Sequence, residues 1–353
     1  MSDLSASATS YASILGSHSI PTYAALDLGT NSCRLLIAQP TQRSFHVVDA
    51  FSSIIRLGEG MSLSGSLSES AMMRTLEVLK VCAAKMKRYN IVRSRQVATE
   101  ACRIANNGEY FIEQVKQRLG MQIEILSRRL EAQLAVSGCA TLIDEECDYA
   151  LLFDIGGGSS EIVWMDLSKR CKNWQRSLSD CLEAKRCITA WTSLPTGVVT
   201  LAERFDTNNV DHVVFQQMVQ YVQELMEPFE AKYKLRHCIA NGNTHFLGTS
   251  GTITTLAGIQ LKLQRYDRNR VDGCWLASLD IRSVIRQLLN QTYDQRIANP
   301  CVGPERADLV IAGCAILEAV LRTWPTKRLR VADRGLREGM LTTMMAEDAQ
   351  KSK

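Results

Sequence analysis

Apolar and polar positions along this chain follow a repeating order. Tyr23-Ala24-Ala25-Leu26 is an apolar run, Asp27-Leu28-Gly29-Thr30-Asn31-Ser32 is a break of small and polar residues, and Arg34-Leu35-Leu36-Ile37-Ala38 is a second run. That order predicts a strand, a tight turn and a strand. It recurs as Tyr149-Ala150-Leu151-Leu152-Phe153, then Asp154-Ile155-Gly156-Gly157-Gly158-Ser159, then Glu161-Ile162-Val163-Trp164. The offset is 154 − 27 = 127 residues, and the Asp, the first Gly and the Ser of the two breaks coincide. One hairpin is used twice.

The remaining pattern alternates strands with helices. Phe45 to Ala50 reads as extended, and Ser68 caps a helix whose Met72, Leu76, Leu79, Ala83 and Met86 recur at helical spacing. Arg95–Glu100 and Gln122–Leu126 read as strands and Tyr110–Leu119 as a helix. Ser127 then starts a helix through Glu131 and Leu134 toward Gly138. In the second half, helices are predicted over Val198–Phe205, Val213–Tyr233 and Arg306–Leu321, with a strand at Leu329–Asp333 and a last helix from Leu336. A third small-residue turn, Gly248-Thr249-Ser250-Gly251-Thr252, opens onto a helix at Thr254. The stretch 168–190 is polar, with scattered Lys, Arg and Cys, and reads as an inserted surface segment. This alternation argues for an α/β fold of two related halves, with the hinge near Gly138.

Composition adds little against this picture. A chain of 353 residues is long enough for two cores, and 46% hydrophobic with 22% charged residues is ordinary. A net charge of +4 suits an anionic small molecule or polymer and does not demand nucleic acid. The 12 Cys include no Cys-x-x-Cys pair, so they read as reduced thiols rather than zinc ligands. Residues 1–21 are Ser/Ala-rich and read as a loose tail rather than a signal or transit peptide. No run is apolar and long enough to span a membrane, and the expected location is the cytoplasm.

The turns supply the candidate chemistry. Several backbone N–H groups hold a phosphate well only where no Cβ blocks close approach. Gly29, Thr30, Asn31 and Ser32, Gly156, Gly157, Gly158 and Ser159, and Ser250, Gly251 and Thr252 meet that need. The acids at the hairpin entrances, Asp27 and Asp154, would repel a phosphate unless a cation bridged them. Mg²⁺ is the expected bridge, with Glu161 as a third ligand across the second hairpin. Arg103 is a candidate phosphate clamp or an ordinary ion pair. Arg128, Arg129, Arg330, Arg334 and Arg337 are candidates for a basic rim. His245 reads as structural. Periodicity alone reads Glu131 as a solvated helix residue, although a carboxylate near a helix N-terminus is kept ionised by the dipole.

Five motifs together carry a family resemblance. Asp27-Leu-Gly-Thr-Asn-Ser32, Thr99-Glu-Ala-Cys-Arg103, Asp154 through Glu161, Gly248-Thr-Ser-Gly-Thr252 and Asp333-Arg-Gly-Leu-Arg-Glu-Gly339 occur in this order. The chain from about residue 22 to 345 resembles the exopolyphosphatase / guanosine pentaphosphate phosphohydrolase family of the sugar kinase, heat-shock ATPase and actin superfamily. The resemblance implies two ribonuclease-H-like domains, 22–138 and 139–347, with the active site in the cleft between them. It implies Mg²⁺-dependent hydrolysis of a terminal phosphoanhydride bond, with inorganic polyphosphate or guanosine pentaphosphate as substrate. The family's base is the second Glu of Ser-Gly-x-Glu-Glu-Ala, and here Ser127-Arg128-Arg129-Leu130-Glu131-Ala132 keeps it as Glu131. Arg128 stands where the family has Gly, adding positive charge to the cleft or partly obstructing it. Leu130 stands where it has the first Glu, so one half of a helix capping box is missing. The expected reading is an exopolyphosphatase of the short, two-domain type, with Glu131 and Arg103 as catalytic residues, Arg103 helping the glycine turns to hold the phosphates. Alternatives are guanosine pentaphosphate hydrolysis, an actin-like nucleotide-binding protein and a non-catalytic polyphosphate-binding protein. By family analogy a homodimer is expected; no membrane or nucleic-acid partner is.

Overall fold

The structure is a computed structural model that describes residues 20–42, 44–170, 177–205 and 210–351. Residues 1–19 of the expected tail and 171–176 of the expected insertion lie outside the described residues.

Each predicted hairpin seeds a sheet. In the first half, β1 (Thr22–Leu28), β2 (Ser32–Pro40), β3 (Phe45–Ile54), β4 (Ile91–Ala98) and β5 (Glu124–Ile125) form a sheet of order β3-β2-β1-β4-β5. In the second, β6 (Tyr149–Ile155), β7 (Ser160–Asp166), β8 (Ile188–Leu194), β9 (Thr244–Thr249), β10 (Trp275–Ala277) and β11 (Arg328–Ala332) form a sheet of order β10-β11-β9-β6-β7-β8. In both halves the hairpin pairs antiparallel and its first strand pairs parallel with the next strand inward. Two ribonuclease-H-like sheets of one topology thus face each other. The register puts Asp27 opposite Arg34 and Asp154 opposite Glu161.

The helices used below are α1 (Glu69–Lys87), α2 (Glu100–Ile104), α3 (Gly108–Leu119), α4 (Arg128–Cys139), α5 (Val198–Phe205), α6 (His212–Tyr233), α7 (Gly251–Gln260), α8 (Ser278–Leu289), α9 (Val310–Thr323) and α10 (Leu336–Lys351). The Ser68 hydroxyl caps α1 by accepting the Ala71 amide at 3.2 Å, and the Ser127 hydroxyl caps α4 by accepting that of Leu130 at 3.3 Å. Leu130 therefore keeps the cap and loses only its reciprocal half, and its side chain packs on the core beside Leu134.

Strand alternation sends neighbouring residues into separate cores. Ala24, Leu26 and Leu28 of β1 meet α1 and α3, while Tyr23 and Ala25 face the other way. Leu151, Phe153 and Ile155 of β6 meet α6, α7, α8 and α9, while Ala150 and Leu152 face away. The second face of each sheet is covered by a helix from the other half. Leu336, Met340, Leu341, Met344 and Met345 of α10 cover Tyr23, Ala25, Leu36 and Ala38. Ala132, Ala135, Val136 and Cys139 of α4 cover Ala150, Leu152, Val163 and Met165. The two helices cross at glycine: a Cβ on Gly138 would lie 2.0 Å from the Gly335 carbonyl oxygen, and one on Gly339 would lie 1.9 Å from that of Leu134. Gly138, the expected hinge, sits at this crossing.

Two sequence expectations change. Residues 178–190 are not a surface insertion: Cys181, Ala184 and Cys187 are buried, and Ile188 begins β8, the counterpart of β3. The strand expected at Arg95–Glu100 starts earlier and stops at Ala98, because Glu100 opens α2. No helix among the described residues is long and apolar enough to cross a membrane.

Candidate functional site

The turns predicted from glycine chemistry converge on one cleft of about 160 Å³ between the two sheets. Gly29 to Ser32, Gly156 to Ser159, and Ser250 to Thr252 all line it, with Asp27, Asp154, Glu161 and Glu131. The turns meet closely. A Cβ on Gly157 would lie 2.9 Å from Thr30 Cβ and 3.1 Å from the Asn31 amide nitrogen. Neighbouring elements hold them in place. The Val198 and Val199 amides at the start of α5 donate to Gly156 O and Gly157 O at 3.0 and 2.8 Å. The Ile55 and Arg56 amides donate to Asn31 O at 2.9 and 3.1 Å. The Ser250 hydroxyl accepts the Ile253 amide at 3.1 Å, capping α7 as it enters the cleft. Asn31 Oδ1 is buried and has no hydrogen-bond partner among the described residues.

Four of the carboxylates that line the cleft are held above their usual range. Burial pushes Asp154 up to about 8, and Glu161 and Asp27 reinforce it. Burial also raises Asp27, with Arg34 and Arg337 opposing it. Burial raises Glu161 against hydrogen bonds to its Oε1 from Ser159 Oγ and Ser193 Oγ, both at 2.8 Å. Glu131 is raised well above the usual carboxylate range, first by burial and next by Glu161. Desolvation and the neighbouring carboxylates thus act on Glu131 against the helix dipole, which favours its ionised form. Hard oxygen donors that repel one another in a buried site are the donor type that takes a small divalent cation; as they stand, no three of these carboxylates bring ligand atoms within 4.8 Å of one another.

Arg103 is not a free phosphate clamp. Its Nε donates to Glu100 Oε2 at 3.0 Å and its Nη2 makes a still shorter bond to the same oxygen. Its Nη1 donates to Glu131 Oε2 at 3.0 Å and to the Leu126 carbonyl at 2.5 Å. Within the expected rim, Arg334 and Arg337 line the cleft. Arg334 is paired with Asp272, while Arg330 lies over the Trp275 ring at 5.7 Å and bonds Leu142 O. Arg129 lines a separate depression with Lys185 and Trp191.

Sequence reading missed Arg34 and Arg306 as anion ligands. Both guanidinium groups come within 3.9 Å of where a Cβ on Gly251 would stand, beside the α7 N-terminus. Such a cluster suits a phosphate. Arg34 was legible in principle, because the hairpin register places it opposite Asp27. Arg306 had no local signal, since it reaches the cleft from a distant loop and bonds Thr255 Oγ1 at 3.3 Å. Glu100, 2% exposed, was also missed.

The two halves are also bridged away from the cleft lining. Arg56 pairs with Asp308 at 2.8 Å, and Glu203 accepts the Gly60 amide at 2.8 Å and the Ser62 hydroxyl. His245 lies at the opposite end of β9, near Asp144 and Cys147. Its Nδ1 accepts the Asp144 amide at 3.2 Å, and burial pushes its pKa down to about 4, which keeps it neutral.

Comparison with known proteins agrees with this geometry. A bifunctional 3-dehydroquinate synthase/phosphatase of Fusobacterium nucleatum is 28% identical over 84% of this chain and 43% of its own length. A guanosine-5'-triphosphate,3'-diphosphate pyrophosphatase of Photobacterium profundum is 27% identical over 93% of this chain and 60% of its own. Exopolyphosphatase 2 of Mycobacterium tuberculosis is 28% identical over 85% of this chain and 89% of its own. The chain thus spans about half the length of the first two. The crystal structure of an exopolyphosphatase from Cytophaga hutchinsonii superposes with a TM-score of 0.80 at 25% identity, covering 92% of this chain and 98% of that one. An Aquifex aeolicus Ppx/GppA family member superposes with a TM-score of 0.73 at 26% identity, covering 94% and 99%. The family model matches residues 36–348, and the chain belongs to the Ppx/GppA phosphatase family.

Proposed function

We propose that this protein is an exopolyphosphatase, releasing orthophosphate from the end of inorganic polyphosphate by attack of a Glu131-activated water. The carrying observation is the placement of Glu131. It is a buried carboxylate at the cleft, steadied by Arg103 and set among Asp27, Asp154 and Glu161. Asp27, Asp154 and Glu161 would hold Mg²⁺, which when bound offsets charge on the phosphoryl oxygens and favours the ionised carboxylates. The turn amides of the two hairpins and of α7 hold the terminal phosphate, with Arg34 and Arg306 beside it. Glu131 takes a proton from the water as its oxygen bonds to the terminal phosphorus. The bridging P–O bond breaks, and its electron pair leaves with the shortened chain.

The Mycobacterium tuberculosis exopolyphosphatase 2, which the chain matches over 89% of that protein's length, supports polyphosphate as the first reading. Guanosine pentaphosphate hydrolysis at the same site is the second reading, favoured by the Photobacterium relative's name. Side-by-side phosphate-release assays on both substrates decide between them. Glu131→Gln is expected to lower phosphate release by at least about a thousandfold while polyphosphate still binds. Turnover within about tenfold of wild type would reject Glu131 as the base.

We further propose residues 22–138 and 139–347 as the two domain units, and a cytoplasmic homodimer. The repeated topology supports the first.

A further inference from the structure

Glu100 sits under the second hairpin, where a Cβ on Gly158 would lie 3.1 Å from its Cγ. Its side chain is 3% exposed and bonded by two arginines. Arg103 comes from the same short helix and Arg128 from the first turn of α4. Arg128 Nε donates to Glu100 Oε2 at 3.2 Å and its Nη2 to Glu100 Oε1 at 2.5 Å. Arg103 divides its guanidinium between Glu100 and Glu131. Two buried carboxylates therefore compete for one arginine, and Arg128 removes part of that competition.

A buried carboxylate that loses a partner is costly, and its neighbours rearrange to supply one. Among the described residues, Glu100 Oε1 accepts its bond from Arg128; Arg103 already touches the same carboxylate through Oε2 and stands ready to replace it. The guanidinium is rigid and planar, so a turn of Arg103 that brings its Nη2 to Oε1 also moves its Nη1 off its place on Glu131. Glu131 is faced by Arg103 from α2, Glu161 from β7 and Asp27 from β1, with Arg128 on its own helix, so Arg103 is its hydrogen-bonded cation. Resting on the reading of Glu131 as base, we infer that Arg128 is a positioning residue that anchors Glu100 and thereby keeps Arg103 on Glu131. Its side chain is 40% exposed, so it reaches Glu100 from the surface without needing a buried site of its own.

The test is steady-state phosphate release from polyphosphate in Mg²⁺, in a mutant cycle. Arg128→Gly is expected to lower kcat about tenfold with KM within about twofold, because the effect passes through the base and not through substrate binding. Arg128→Lys keeps a cation near Glu100 and is expected to recover most of the loss. In a Glu100→Gln background the competing charge is gone, so Arg128→Gly should cost less than about twofold. Equal losses in both backgrounds, a loss confined to KM, or a gain in kcat would each overturn the inference. The last two would mark Arg128 as a substrate contact and as an obstruction, respectively. If Glu131→Gln is as active as wild type, the base assignment falls and this inference with it. If Glu131→Gln is inactive but the Arg128 losses are equal, only this inference falls.

Discussion

The two hairpins share fold, register and an aspartate at the same position, yet they differ in the residue across the ladder. Asp27 faces Arg34, whereas Asp154 faces Glu161. The first is therefore partly neutralised within its own hairpin, with Arg337 adding a second cation. The second sets two acids side by side, and burial, reinforced by Glu161, drives Asp154 up to about 8. One backbone template thus carries a charge-balanced half and an acid-paired half. A single position, seven residues beyond each aspartate, decides which is which.

Substitutions across the two ladders should break this contrast most severely. Asp154→Asn and Glu161→Gln are expected to lower kcat/KM by about a hundredfold or more and to raise the Mg²⁺ concentration for half-maximal rate. Arg34→Gln should instead raise KM for polyphosphate and leave the Mg²⁺ requirement within about twofold. A metal titration in which Arg34→Gln shifts and Glu161→Gln does not would invert the assignment.

The next effect lies in stability. In the cation-free protein Asp154 holds its proton up to about pH 8, whereas an unfolded aspartate loses it near about pH 3.9. The native state then binds more protons than the unfolded one between those values, so stability falls as pH rises through that window. Melting temperatures in EDTA should decline from pH 5 to 8, and Mg²⁺ should flatten or reverse the decline. Asp154→Asn should remove much of the slope. A melting temperature that rises over this range in EDTA would contradict the carboxylate cluster.

The smallest effect concerns the turns. Gly157→Ala drives a methyl onto Thr30 and is expected to cost about 1–3 kcal/mol. At Gly29 the nearest atom is the Ser32 carbonyl oxygen at 3.2 Å, and the cost of Gly29→Ala should be below about 1 kcal/mol. Chemical denaturation of both variants checks the difference.

These contrasts show what a sequence can and cannot display. The hairpins were legible because strand alternation and glycine turns are local, and the aspartate register followed from simple counting. Glu131 needed the motif, because helical periodicity places a residue without showing what lies opposite. The two readings of Arg103, clamp or ion pair, stayed open for the same reason. Its motif located the side chain, but not the two carboxylates and the Leu126 carbonyl that occupy it. Arg306 and Glu100 enter from separate segments that only the tertiary fold brings together. β8 was missed because its flanks are polar and only Ala190 and Leu194 are fully buried along it.

The exchange of α4 and α10 has a further consequence, in the order of events during synthesis. The first sheet leaves the ribosome early, but the helix that covers Tyr23, Ala25, Leu36 and Ala38 begins only at Leu336. Domains made first usually fold first. Here that face stays bare until Leu336–Lys351 has been made, and a chain cut short before Leu336 would leave it exposed. An apolar stripe left open in this way is the kind of surface on which incomplete chains aggregate or are held by chaperones.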